Sequence, residues 1–262
     1  MVSLFSPPPH SPSVHRVTYT RMKVLLLQAR DPGDPMLVHE VQSIQARLHP
    51  RPITLITRNA VAEPASPAWL SGMGAVIIGG SGDYSVHHQH SQAWVGGMLK
   101  LIGAAIRDAV PGFAICFGHQ LLATYFGAQV ITDHSRAEVG TLPLHLTEEG
   151  RNSTLFRGFP TPFLVQTGHT DHVMSVPNEL TLLVTNKNSP QQAFQVRKQH
   201  FYSTQFHPDL SGAEAQSRYL TNKKDSGGQH APEILKSAQQ YQIGADITNS
   251  LLGRFIDEIC TF

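Results

Sequence analysis

The sequence predicts an α/β domain: a mixed, mainly parallel sheet with helices on both faces and an antiparallel portion. Three observations carry this. Short continuous apolar runs, such as Lys23–Gln28 and Gly74–Gly80, read as strands buried on both faces, as parallel strands are. Segments with apolar residues at helical spacing alternate with them, the pattern of strands joined by crossover helices. In the middle of the chain the helices thin out and short strand-like runs follow one another, as in hairpins.

Taken in order, "KVLLLQ" is the first strand, and "DPGDP" breaks the chain after it. "MLVHEVQSIQARL" is a helix with Leu37, Val41, Ile44 and Leu48 on one face. "ITLIT" is the second strand, and "GAVIIGG" is the third, ending in glycines. "SQAWVGGMLKLIGAAIRDAV" is a long helix, "GFAIC" a fourth buried strand and "HQLLATYF" the helix after it. "VGTLPLHLT", "FLVQTG", "LTLLVTN", "QAFQVR" and "HFYSTQF" are short strand candidates, expected as antiparallel hairpins joined to the parallel core. "GAEAQSRYL" and "DITNSLLGRFIDEIC" are closing helices, and 221–233 between them reads as a loop or disordered insert.

The chain has 262 residues, of which 40% are hydrophobic and 15% charged, enough to bury a sizeable core in one domain. That domain is expected over 22–262. Residues 1–21 are rich in Pro and Ser and contain no acid. They lack the apolar stretch of a secretory signal, and their prolines oppose the amphipathic helix of a transit peptide, so a disordered extension is expected. A net charge of +1 gives no footprint for nucleic acid or membrane. No apolar run reaches the roughly 18 residues that span a bilayer. Two cysteines cannot make a disulfide framework, which points to a reducing, cytoplasmic setting.

One of the two is Cys116, in "PGFAICFGHQLLATYFGAQV". It stands at the junction of a buried strand and a helix, outside the carboxyl end of a parallel strand, where open sheets bind ligands. The sharp turn exposes the sulfur and sets it at the positive end of the following helix, which stabilises a thiolate. Ala114-Ile115-Cys116-Phe117-Gly118 has the small flanking residues that a nucleophile elbow requires. The N–H of Phe117 then points toward a developing oxyanion. An arbitrary buried cysteine is more often an inert small hydrophobe. Cys260, in the terminal helix pattern, fits that description; the flanks of Cys116 do not. A nucleophilic cysteine needs a base and the base an orienting group. In "STQFHPDL", His207 ends a strand-like run, Pro208 stops it, and Asp209 can place a carboxylate beside the imidazole.

Together these blocks resemble the class I, triad-type glutamine amidotransferases, over roughly Met22 to Leu220 and the final helix. The resemblance implies a flavodoxin-like α/β fold and a Cys–His–Glu triad. "IIGGSGDYSV" (Ile77–Val86) resembles the glycine-rich oxyanion loop, which implies that Gly80 N–H joins that of Phe117 in holding the oxyanion. No Gly-Lys-Ser/Thr follows, so it is not a P-loop. "CFGHQLLA" resembles the Cys-x-Gly-x-Gln run and implies Cys116 as nucleophile and Gln120 as a contact to substrate. "SRAEVG" and "TGHTDHVMSVP" resemble substrate-side segments: His169 and Asp171 would shape the site, and the backbone after Ser135 would receive the amino-acid end of glutamine. "TQFHPD" implies His207 as base, with Asp209 where the family usually has Glu. Ala114 in place of the usual elbow glycine is a second departure. Among relatives the pattern looks most like the GMP-synthase-type amidotransferase domain and its stand-alone homologues.

The implied reaction is hydrolysis of the γ-amide of L-glutamine through a Cys116 thioester, giving glutamate and ammonia, without metal or organic cofactor. "HHQH" (His87–His90) lies in a polar loop with no cysteine or carboxylate beside it, and reads as solvated rather than metal-binding. After His207 only some 55 residues remain, too few for a nucleotide-binding domain. The chain therefore reads as the glutaminase subunit of a complex with a separate synthetase, or as a stand-alone enzyme. A γ-glutamyl peptidase or hydrolase would use the same catalytic blocks. A cysteine protease with an open cleft and a non-catalytic regulatory module of the same fold are further alternatives.

Overall fold

Strand β1 (Met22–Gln28) is apolar on both faces because it packs on both. Leu25 and Leu27 enter one core and Val24 and Leu26 the other, as the period-2 pleat requires. The computed structural model describes residues 21–82, 84–223, 231–244 and 246–259. α1 (Met36–Leu48) returns the chain to β2 (Ile53–Asn59), and a 3₁₀ turn leads to β3 (Ala75–Ile78). α2 (Gln92–Arg107), β4 (Gly112–Ile115) and α3 (Phe117–Tyr125) follow. Then come β5 (Val130–Thr132), β6 (Glu138–Leu146), α4 (Glu148–Asn152), β7 (Phe163–His169), β8 (Asp171–Val173), β9 (Leu180–Thr185), β10 (Ala193–Val196) and β11 (Phe201–Thr204). α5 (Gly212–Asn222), α6 (Pro232–Ala238) and α7 (Leu251–Ile259) close the chain.

A nine-stranded sheet runs β2-β1-β3-β4-β11-β10-β9-β6-β7, and β5 and β8 form a separate antiparallel pair. β2, β1, β3, β4 and β11 are mutually parallel; β11 to β10 and every pairing beyond it are antiparallel. The expected α/β class, with helices on both faces, is what forms. Trp94, Met98, Ile102 and Leu121 of α2 and α3 pack on one face, and Ile44, Leu48, Leu252 and Phe255 of α1 and α7 on the other. Among the described residues no helix is long and apolar enough to cross a membrane.

The structure differs from expectation in several places. β11 is not only a hairpin strand: it lies parallel to β4, and so carries the residues after it to the same sheet edge as those after β4. The buried face of α1 includes Glu40 and Ser43, whereas Leu37 and Val41 are only half-buried. Thr221 and Asn222 end α5 and Pro232 and Glu233 open α6, so helix occupies both ends of the expected insert; 224–230 lie outside the described residues. So do residues 1–20 of the expected extension and Cys260.

Candidate active site

β3, β4 and β11 are neighbours in the sheet and point the same way. Adjacent strands lie roughly 5 Å apart, so the residues just past their carboxyl ends meet. Gly80 follows β3, Cys116 follows β4 and His207 follows β11. A Cβ built on Gly80 would stand 3.4 Å from His207 Cε1 and 3.8 Å from Cys116 Cβ, so all three share one point.

Cys116 has φ 52° and ψ −101°, a left-handed conformation costly for a side chain with a Cβ. Its N–H is tied to Thr204 O at 2.8 Å, and its carbonyl accepts Gln120 N–H at 3.1 Å. The strain turns the sulfur out of the sheet at the N-terminus of α3. Phe117, the first residue of that helix, has no intrahelical acceptor for its N–H. The elbow closes only because Gly118 has no side chain: a Cβ there would lie 2.7 Å from Ile78 O. Gly118→Ala is therefore expected to lower stability by roughly 1–3 kcal/mol through overpacking, read as a shift of the urea unfolding midpoint. An unchanged midpoint would mean that the elbow has slack.

His207 stands beside Cys116, and its Nδ1 lies 3.0 Å from Asp209 Oδ1. Burial opposes a charged ring, but the Asp209 carboxylate outweighs it and pushes His207 up to about 9. Asp209 is almost fully buried. Burial alone would raise its carboxyl, yet the Arg218 and His207 cations hold it well below the usual carboxylate range. Asp209 Oδ2 accepts from Arg218 Nη1 at 3.2 Å. The Cys, His and Asp singled out from the sequence are thus brought together.

The glycine-rich loop after β3 differs from expectation in one respect. Gly80 lies where expected, but its N–H donates to Glu40 Oε1 at 3.2 Å. Glu40 is buried, so its carboxylate collects the donors around it: Gly80, Gln28 Nε2 at 2.9 Å and, more distantly, Arg30 Nε at 3.7 Å.

A cavity of about 390 Å³ opens over Cys116 and His207, and Gln120, His169 and Asp171 line it. Gln120 Nε2 is engaged by Gln205 Oε1 at 3.2 Å, and Gln205 Nε2 donates to Cys116 Sγ at 3.6 Å. His169 has both ring nitrogens occupied, by Glu138 Oε2 at 2.9 Å and the Asp171 carbonyl at 3.0 Å, so it shapes the wall. Asp171 Oδ1 accepts from Thr132 Oγ1 at 2.6 Å. Ser135 is not among the lining residues, and the N–H groups of Arg136 and Ala137 are used within a 3₁₀ turn. Of the residues that follow Ser135 in this segment, Val139 lines the cavity.

Sequence reasoning missed Arg30, Glu40, Glu138, Gln205 and Arg218. Glu40 carried a usable signal, as a charge on the inner side of an amphipathic pattern. Glu138 accepts from His169, Asn186 and Gln192, partners up to 54 residues away in sequence, which no local pattern reveals. His87–His90 are exposed, as expected.

Comparison with known proteins gives the family. The model of the family described as Glutamine amidotransferase class-I matches residues 34–225. A subunit of the GMP synthase [glutamine-hydrolyzing] from Sulfurisphaera tokodaii is 30% identical over 138 residues, 53% of this chain and 69% of that protein. The corresponding subunit from Pyrococcus furiosus is 31% identical over 113 residues, 43% of this chain and 58% of its own. The match spans only 22% of the GMP synthase of Streptomyces avermitilis, at 32% identity over 46% of this chain. Among solved structures, a glutamine amidotransferase from Thermotoga maritima superposes with TM-score 0.70 at 17% identity, covering 93% of this chain and all of that one. That likeness speaks to the fold; the family match, extending over most of the chain, speaks to descent. This chain belongs to the class-I glutamine amidotransferase family.

Proposed function

We propose that the protein hydrolyses the γ-amide of L-glutamine to glutamate and ammonia, with Cys116, His207 and Asp209 as its reacting set. The single observation that carries this is the convergence of the strained Cys116 and the Asp209-paired His207 on Gly80, at the carboxyl ends of three adjacent parallel strands.

In this reading the Cys116 thiolate attacks the carbonyl carbon of the γ-amide and forms the S–C bond. Phe117 N–H receives the oxyanion, joined by Gly80 N–H once its bond to Glu40 gives way; each such donor is worth a few kcal/mol in the transition state. The C–N bond then breaks, and the His207 imidazolium gives its proton to the departing nitrogen. A γ-glutamyl thioester remains. His207, now neutral, takes a proton from water, the resulting hydroxide displaces sulfur, and glutamate leaves. Asp209 holds the Nδ1–H tautomer throughout. The relatives named as subunits of a glutamine-hydrolysing synthase support a separate synthetase partner that would accept the ammonia.

A second reading, a γ-glutamyl peptidase, is favoured by the charge of the cavity. Arg30, Arg218 and Lys223 line it, whereas Asp171 is the one carboxylate among the described lining residues. Arg30 and Arg218 are already paired with Asp34 and Glu40 and with Asp209, so Lys223 is the cation that would meet a substrate carboxylate beyond the γ-glutamyl group. One assay separates the readings: L-glutamine and a panel of γ-glutamyl peptides, with Cys116→Ser as blank, scored for ammonia and glutamate. Cys116-dependent ammonia from glutamine is expected. Activity on the peptides alone would move the peptidase to first place, and turnover surviving Cys116→Ser would remove the nucleophile.

A further inference from the structure

Asp209 is one methylene shorter than the glutamate implied by the family resemblance, and it is held by a residue that no motif indicated. Arg218 lies on α5 with its side chain 7% exposed. Its Nη1 donates to Asp209 Oδ2 at 3.2 Å, while Nη2 reaches His39 Nδ1 at 3.1 Å and Ser43 Oγ at 3.4 Å on α1. Among the described residues its Nε finds no hydrogen-bond partner, so the two Nη groups set its position. α5 is itself anchored: Ser211 and Glu214 form a capping box, Glu214 pairs with Arg47 of α1, and Gly212 N–H donates to Asp246 Oδ1 at 2.8 Å. The guanidinium is therefore fixed from α1 and from the turn that carries the triad.

We propose that Arg218 is a positioning residue for the triad, which clamps the outer oxygen of the short Asp209 carboxylate so that the inner oxygen stays on His207, and shares that carboxylate with it. The proposal rests on the assignment of Cys116, His207 and Asp209 as the reacting set. A buried carboxylate with one partner is free to rotate about its two side-chain torsions. A planar guanidinium, always charged and able only to donate, removes that freedom and cannot be titrated away. Two cations on one carboxylate also leave His207 less tightly protonated than Asp209 alone would make it, which favours release of the proton to a leaving amine. The other titratable or charged groups around the cluster are Cys116, His39, Arg30, Glu214, Tyr219 and Tyr241.

Arg218 also lines the cavity, so it must be distinguished from a substrate anchor and from a purely structural residue. The test compares the full chain with Arg218→Met, Asp209→Asn and the double variant. The His207 ring signal, assigned by its loss in His207→Asn, is followed by NMR as a function of pH without substrate, and kcat and KM are measured on L-glutamine or whichever γ-glutamyl compound is turned over. In Arg218→Met the His207 midpoint is expected to move up by at least half a pH unit, kcat to fall at least tenfold and KM to stay within threefold. In the Asp209→Asn background the same change is expected to cause no further fall in kcat, because it frees the amide to turn its oxygen toward His207. An unmoved or lowered His207 midpoint, a raised KM with retained kcat, or additive effects in the double variant would overturn the proposal. If Arg218→Met does not fold, Arg218→Lys serves, because it keeps a charge but cannot hold Asp209, His39 and Ser43 together; full wild-type kcat there would also overturn it. The titration needs no turnover, so a protein inactive on every substrate would discard the proposed reaction while the Arg218 result still stands or falls by itself.

Discussion

Asp209→Asn is expected to lower kcat/KM by about 10³–10⁴-fold at neutral pH, the scale found when a triad carboxylate is replaced by its amide. The reason is specific to this site. Arg218 carries only donors, so it captures the one oxygen of the new amide. The NH₂ group is then left facing His207 Nδ1. A donor there forces the other tautomer, with the proton on Nε2 facing Cys116, and the ring can no longer accept from sulfur or water. Steady-state release of glutamate, with circular dichroism confirming the fold, checks this; a loss of less than tenfold would mean that another group orients His207. The same variant carries a pH signature. His207 is raised from 6.5 to about 9, so it contributes stability that is fully present below 6.5 and lost as pH rises through 9. The linked amount is about 3 kcal/mol. Urea unfolding at pH 6.5 and 9.5 should show that loss in the wild type and little of it in Asp209→Asn.

Glu40→Ala is expected to destabilise the protein by about 3–5 kcal/mol, the usual cost of removing one partner of a buried ion pair. Arg30 is 2% exposed, and among the described residues its Nε has no hydrogen-bond partner. Among the described residues, without Glu40 it keeps only Asp34, at 3.3 Å, while Gly80 loses its acceptor and Gln28 keeps only the Leu37 carbonyl. Chemical denaturation measures this directly. A change below 1 kcal/mol would show that water enters and solvates the guanidinium. Glu40→Gln should cost less than Glu40→Ala, since it retains an oxygen for Gly80 N–H.

The parts of this protein that could be read from the sequence are those dictated by local chemistry. Continuous apolar runs become buried parallel strands because both of their faces are covered, and β1, β3 and β4 fall where the runs are. The elbow around Cys116 is local as well: a strand, a strained turn and a helix between Gly112 and Tyr125, closed by Gly118. His207 and Asp209, two residues apart, meet through one turn.

What the sequence could not decide is which distant side chains complete the site. Arg218 reaches Asp209 only because α5 packs on α1, and Gly80 N–H faces Glu40 only because α1 turns that carboxylate toward the end of β3. His169 is committed to Glu138 across paired strands. Local sequence determines backbone path and reactive residue type, since propensity, periodicity and turn sterics act over a few residues. Buried charges and hydrogen-bond donors are satisfied by whatever the packed elements bring within about 3 Å; that is a property of the assembled sheet and helices, and only the tertiary structure decides it.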